Sequence, residues 1–160
     1  MKFPIKPTAF NNETENRTII VLEKNQQKRD PKMNIHIPVS PGELADKLSI
    51  LEIKNEKITD SEKLKNIGYE QSLLRRIWSK SQFEKKFVSK ELSELKMVNR
   101  KLWEIEDQIR FKESGKQFDE EFIKLARLVY ISNDKRSGIK RKINQIYGSD
   151  LLEEKSYSTY

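Results

Sequence analysis

Two long stripes of apolar residues in the second half of the chain constrain its fold more than any other feature. In the first stripe the spacing alternates between three and four, which is heptad spacing over roughly 37 Å of helix; its members are Leu92, Leu95, Val98, Leu102, Ile105 and Ile109. The second stripe has helical spacing and consists of Phe122, Leu125, Val129, Ser132, Arg136, Ile139, Ile143 and Ile146. Because only a short connection around Gly115 separates them, the two helices can pair only antiparallel. The pattern predicts a long, coiled-coil-like helical hairpin.

The hairpin implies a register between its two helices. If the connection centres on Gly115, Asn99 lies beside Ser132 and Asn133, and Leu95 lies near Arg136, so polar positions of the two stripes coincide. Glu106 falls on the apolar side of its helix, where an unpaired carboxylate is costly. We therefore expect it to reach a cation, namely Arg110, Arg127 or a lysine of the first helix.

Helix-start signals place two shorter helices before the hairpin. Ser40 as N-cap, Pro41 at the first helical position and Glu43 at capping-box spacing predict a helix over 41–58. Thr59 and Asp60 are the caps predicted for a second helix over 61–78. The hairpin helices are expected over 89–113 and 120–147. In the first helix, Ile50 and Ile53 lie off the main apolar stripe, which indicates contact with more than one neighbour.

The fold class expected is therefore all-α, a helical bundle built on the hairpin. Residues 1–32 are polar and proline-punctuated and are predicted to be a flexible extension, or alternatively a segment that clamps the body. Apolar and polar residues alternate over 35–39, the pattern of a short extended lead-in, and Pro38 restricts it to an edge. A single helical domain over 33–148 and a C-terminal tail over 149–160 complete the organisation.

Composition limits the function classes. With 36% charged and 35% hydrophobic residues, the core of a 160-residue chain is narrow. There is no Cys and only one His, His36, which excludes thiolate sites and a cysteine nucleophile and leaves no metal or cofactor signature. No apolar run approaches membrane length, so we expect a cytoplasmic protein without membrane contact. The net charge of +7 favours anionic partners only weakly, because both signs are interspersed.

Several motifs resemble those of a small uncharacterised family of bacterial and phage proteins, known only as a domain of unknown function. They are Ser40-Pro41-Gly42-Glu43-Leu44, Leu102-Trp103 with Ile105-Glu106-Asp107, Asn133-Asp134 with Arg136, and Glu153-Glu154-Lys155-Ser156-Tyr157. The resemblance covers about residues 34–157 in order and spacing. It implies the helical architecture and supplies no activity, and it leaves residues 1–32 outside.

One polar cluster is a candidate ligand site. It comprises Asn99, Glu106, Asp107, Arg110, Asn133, Asp134 and Arg136. At the middle of the hairpin these side chains could form a pocket for an anionic or sugar-like ligand, with Arg136 as a bidentate clamp and the carboxylates accepting hydroxyl protons. The alternative, which the sequence favours, is that polar groups in the seam fix the register of the two helices.

A second candidate is a basic stretch for binding anions or nucleic acid, formed by Lys135, Arg136, Lys140, Arg141 and Lys142. These cations spread around most of the helix, and cations near a helix C-terminus also complement its dipole without any ligand. Nucleic-acid binding is therefore possible on this reading but not favoured. Trp78 and Trp103, at helical spacing with leucines, are interpreted as core or interface anchors.

These observations favour a helical scaffold or adaptor that acts through protein–protein contacts and performs no catalysis of its own. Its partner is another protein or a second copy of the chain, because helices 1 and 2 cover the long helices only in part. The first alternative is a binding or enzymatic site for a sugar or nucleotide phosphate in the polar cluster. The second is nucleic-acid binding through the basic end of the last helix.

Overall fold

The computed structural model describes residues 35–81, 83, 87–152 and 154–156, so the interpretation of residues 1–32 lies outside the described part. The chain divides into two units, Met1–Ile37 and Pro38–Tyr160, and the second contains all the elements below. Its four helices are α1 (Pro41–Lys57), α2 (Ser61–Lys80), α3 (Ser89–Ser114) and α4 (Glu120–Ile146). Each bound lies within two residues of the range expected from the sequence. The all-α class is confirmed, and residues 35–39 are exposed and form no strand.

Side-chain caps start α1 and α2. The Ser40 Oγ atom accepts a hydrogen bond from the Glu43 backbone N–H over 3.2 Å, as the sequence indicates. Glu43 itself does not complete a capping box, because its carboxylate binds Lys140 of α4, with 2.5 Å between Oε1 and Nζ. In α2 the N-cap is Asp60, whose Oδ1 accepts from the Lys63 N–H over 2.8 Å. The capping role expected for Thr59 therefore belongs to Asp60 alone.

Helices α3 and α4 form the predicted antiparallel hairpin. Going back along α3 from its C-terminal end, each residue contacts a residue further along the chain towards the end of α4. Only two antiparallel helices give this order of contacts. The contacts are Lys112 with Asp119 at 3.0 Å, Asn99 with Arg136 at 3.5 Å and Glu91 with Lys142 at 2.6 Å.

The ends of both long helices close with the same backbone pattern. At the end of α3 the Gln117 N–H bonds to the Lys112 carbonyl over 2.9 Å, and the residue with positive φ is Lys116, at 51°, rather than the preceding glycine. At the end of α4 the Ser149 N–H bonds to the Asn144 carbonyl, also over 2.9 Å, and Gly148 has a φ of 61°. Both are Schellman closures, which satisfy the last free carbonyls of a helix.

Helix α1 packs against each of the other three helices, so the prediction that it contacts several neighbours is confirmed. The buried core joins residues from all four helices and from Val88 just before α3; its members are Leu44, Ala45, Trp78, Val88, Leu95, Val98, Leu102, Ile139 and Ile143. Phe83 and Tyr147 pack against the Trp78 ring at this core, with centroid distances of 5.6 and 6.3 Å. Within the described residues, no helix has the length and apolar character needed to cross a bilayer.

Candidate functional site

A buried polar network joins α1 to the hairpin where these helices cross. The Asn99 side chain on α3 is only 5% exposed, and its Nδ2 donates to Asp46 Oδ1 and to Ser49 Oγ, both at 2.7 Å. The Ser49 hydroxyl in turn donates to the Asp46 backbone carbonyl over 2.8 Å. Both donors of the Asn99 amide are thus used by α1, which fixes the position of α1 on the hairpin.

Asp46 is the acidic residue of this network, and it is buried. Burial raises its pKa above the ordinary value, because the charged form loses hydration. The hydrogen bond from Asn99 and the charges of Arg136 and Lys140 act in the opposite direction and lower its pKa. The network therefore contains a carboxylate whose ionised form depends on three neighbours supplied by α3 and α4.

Arg136 is held loosely in comparison. Its Nη1 donates to Asn99 Oδ1 over 3.5 Å, at the outer limit of a hydrogen bond, and its side chain is half-buried. Among the described residues the guanidinium has no ion pair, although a guanidinium carries five N–H donors. Most of its donors are therefore available to an acceptor from outside the protein.

The start of α1 is fixed to α4 by close backbone approach. The Gly42 N–H donates to Asn144 Oδ1 over 2.7 Å. A Cβ atom at Gly42 would lie 2.6 Å from the Lys140 carbonyl oxygen and 2.7 Å from Asn144 Oδ1, so only glycine fits there. Together with the Glu43–Lys140 ion pair, this contact determines where α1 enters the bundle.

A cleft of about 410 Å³ opens beside the network, between α1, α3 and α4. Trp103 and apolar residues of α1 and α3 form part of its wall. The other lining residues are five members of the predicted polar cluster, Asn99, Glu106, Asp107, Arg110 and Arg136. The fold thus gathers most of that cluster around one ligand-sized space.

Asn133 and Asp134, the two remaining members, do not line the cleft. They contact the C-terminal tail instead. Lys155 Nζ donates to the Asn133 carbonyl over 3.1 Å and lies 3.7 Å from the Asp134 carboxylate. Glu154 binds Arg141 of α4 at 2.8 Å, so the described part of the tail folds back on the last helix.

Glu106 pairs with Arg110 on the same helix, 2.9 Å apart, as expected. It lines the cleft together with Ile50, Ile53 and Leu102, but its carboxylate is about half exposed, so it does not bear the burial cost expected for it. Asp107 has no ion pair among the described residues. The cleft therefore has an open rim that carries two carboxylates and one guanidinium.

Asn99 makes its contact with α4 further along that helix than the register centred on Gly115 predicts. Asn99 contacts Arg136, one helical turn beyond Ser132. The connection between the helices runs from 115 to 119, so its centre lies later in the chain than the sequence indicated. The polar partners of Asn99 on α1, Asp46 and Ser49, were missed. Their signal was present, since they share helical spacing with Ile50 and Ile53, off the main stripe.

The basic end of α4 is largely neutralised by ion pairs. Lys140 is buried against Glu43, Arg141 binds Glu154, and Lys142 binds Glu91, while Lys135 is exposed. The hydrogen bond to Glu91 raises the pKa of Lys142, and the same bond lowers the pKa of Glu91. Three of the five cations of this stretch thus have acidic partners within the structure. In the part of the chain that the structure describes, no cluster of three acidic or His side chains forms a metal site.

The fold and the cleft define a class: a small all-α protein with a long helical hairpin crossed by a shorter helix, and a polar cleft at the crossing. The model of a family described as "Family of unknown function (DUF6165)" matches residues 33–160. The chain belongs to this family, which confirms the resemblance to an uncharacterised family. Neither a curated protein nor a solved structure matches the chain.

Proposed function

We propose that the protein binds a small phosphorylated ligand, a sugar phosphate or a nucleoside monophosphate, in the cleft between α1, α3 and α4. The observation that carries this proposal is Arg136, which lines the cleft with most of its donors unused. A guanidinium fork matches a phosphate through two parallel hydrogen bonds. Behind it, Asn99 Oδ1 accepts one long hydrogen bond from Arg136, and the guanidinium charge lowers the pKa of Asp46.

The other lining residues suit the remainder of such a ligand. Trp103 is half-buried and offers an aromatic surface for a sugar ring or a base. Asp107 and Glu106 at the rim accept hydrogen bonds from hydroxyl groups. A cleft of about 410 Å³ falls in the usual range for small-molecule sites. The roles given to these residues are all binding roles, so the proposal is for ligand binding and includes no chemical reaction.

Calorimetric titration with uridine monophosphate tests the proposal, with uridine and inorganic phosphate as partial ligands. We expect uridine monophosphate to bind more tightly than either part. Arg136→Ala should raise its dissociation constant at least about tenfold, because a charge-assisted hydrogen bond is lost. The matched control is Arg127→Ala, which removes an exposed guanidinium on the same helix, outside the cleft.

A second variant separates binding from folding. Arg136 also lies opposite the buried Asp46, so its removal affects stability as well. Asp107→Asn changes one exposed rim carboxylate and should weaken uridine monophosphate severalfold, with an unchanged melting temperature. If the unmodified protein gives no binding heat with any of the three probes, the ligand-binding proposal fails.

The adaptor role remains a second candidate, supported by the loop end of the hairpin. There Phe111, Phe118 and Ile123 are 74%, 59% and 56% exposed. Exposed apolar side chains grouped with charges of both signs suit an isologous contact with a second copy of the chain. Sedimentation velocity over a wide concentration range should show a dimer that Phe111→Ser abolishes. Met97→Ser, on an exposed face of α3, is the control; a chain that is monomeric throughout excludes self-association.

A further inference from the structure

A second cavity lies between α1, α2 and α3 and shares no lining residue with the polar cleft. Its volume is about 630 Å³, well within the range of small-molecule sites. Ala45, Leu48, Leu92 and Trp78 contribute apolar surface to its wall. Arg75, Arg76, Lys96 and Glu52 are the charged residues that line it. The cavity thus combines an apolar interior with an excess of cations.

Two of the three cations already have acidic partners. Glu52 binds Arg75 at 3.2 Å and Lys96 at 2.8 Å, and Lys96 also lies 3.2 Å from Glu56. The guanidinium of Arg76 has no hydrogen bond or ion pair with any residue that the structure describes. One positive charge at the cavity is therefore left without a counter-charge.

Trp78 provides a second unpaired donor. The residue is 4% exposed and belongs to the core, yet its indole N–H has no hydrogen-bond acceptor in the described part of the chain. Buried donors of this kind are nearly always paired in folded proteins. The N–H is enclosed by the protein, so Trp78 meets the cavity through its apolar ring surface.

We propose that this cavity binds an organic monocarboxylate with an apolar body. The two carboxylate oxygens accept parallel hydrogen bonds from the Arg76 guanidinium, and the body lies against Leu48, Leu92 and Trp78. The wall beside Arg76 is largely apolar, which suits a carboxylate on an apolar body better than a hydroxyl-rich phosphate. This ligand class and this site differ from those of the polar cleft.

Calorimetric titration of the full chain with naphthoate tests the proposal, with naphthylmethanol as the neutral molecule of similar shape. We expect naphthoate to bind and naphthylmethanol to bind at least about tenfold more weakly, because the ion pair is absent. Arg76→Ala should weaken naphthoate by a similar factor. Lys80→Ala, which removes an exposed cation of the same helix outside the cavity, should leave the affinity unchanged.

A further variant establishes the location of the ligand. Leu48→Trp places a larger side chain in the cavity and should abolish naphthoate binding, while circular dichroism checks that the helices are retained. The proposal is overturned by any of three results: no binding of naphthoate to the unmodified protein, equal affinity for naphthylmethanol, or full affinity in Arg76→Ala. The Arg76 comparison decides the question even if Leu48→Trp does not fold.

Discussion

The crossing of α1 over the hairpin and the loop end of the hairpin are stabilised in different ways. At the crossing, Asn99 and Asp46 are almost fully buried and joined by hydrogen bonds between helices that are far apart in sequence. At the loop end, the ammonium group of Lys112 bridges Asp119 and Glu121, both more than half exposed, and Phe111 is largely exposed. A third helix needs specific contacts to fix its position, whereas a short loop already positions two helices.

Protonation distinguishes the two regions as well. At the crossing, burial raises the pKa of Asp46. At the loop end, the backbone N–H of Phe122 and the Lys112 ammonium lower the pKa of Asp119, while hydrogen bonds to Glu121 and Asp119 raise the pKa of Lys112. The folded structure thus disfavours the ionised form of Asp46 at the crossing and favours the ionised form of Asp119 at the loop end.

The largest effect is expected where α1 enters the bundle. Gly42→Ala places a methyl group 2.6 Å from the Lys140 carbonyl oxygen, and this oxygen belongs to backbone that cannot move aside easily. The free energy of unfolding should fall by about 3 kcal/mol, measured by urea denaturation, since α1 must shift and the bond to Asn144 weakens.

The control for this variant is Gly138→Ala on α4. Its Cβ meets no atom within 4 Å, and the position is helical. Here the free energy of unfolding should rise by roughly 0.5 to 1 kcal/mol, because alanine favours the helix. If both substitutions changed the free energy of unfolding equally, the close packing of α1 against α4 at Gly42 would not restrict the side chain there.

Asn99→Leu tests the buried network and should give the next largest effect. If Asn99 only fixed the register of the hairpin seam, leucine at this position would raise the melting temperature. Because its amide donates to Asp46 and Ser49, we expect instead a loss of about 2 kcal/mol. Met97→Leu, on an exposed face of the same helix, should change the stability by less than about 0.5 kcal/mol.

The smallest effect concerns pH and has opposite signs in the two regions. The folded pKa of Asp46 lies above 3.8, so the folded state binds a proton more readily, and this carboxyl favours folding increasingly as pH falls through the raised pKa towards 3.8. The folded pKa of Asp119 is lowered, so its contribution is present above 3.8 and is lost as pH falls through the folded value.

Urea denaturation of Asp46→Asn and Asp119→Asn as a function of pH measures these contributions. As the solution is acidified, the free energy of unfolding of Asp46→Asn should fall relative to that of the unmodified protein. The free energy of unfolding of Asp119→Asn should rise relative to that of the unmodified protein. If both variants follow the unmodified protein in parallel, neither carboxyl has a different pKa in the folded and unfolded states.

Local sequence patterns determined the four helices and the hairpin. Apolar spacing and short polar connections act within a few residues, so Ser40, Pro41 and the heptad stripe of α3 are sufficient to locate the helices. They also placed Asn99, Glu106, Asp107, Arg110 and Arg136 near one another, because a hairpin with a short loop restricts which residues meet.

Only the tertiary structure decided where α1 lies. Its contacts with Asn99 and Asn144 join residues about 50 and 100 positions apart, and helical periodicity carries no information on such pairs. Helical spacing with Ile50 and Ile53 places Asp46 and Ser49 on one face of α1, but only the packing of α1 on α3 brings that face to Asn99. Packing also decided that Glu43 pairs with Lys140 and does not complete a capping box. The sequence specifies which face of each helix is buried; the packing of all four together selects which buried polar groups meet.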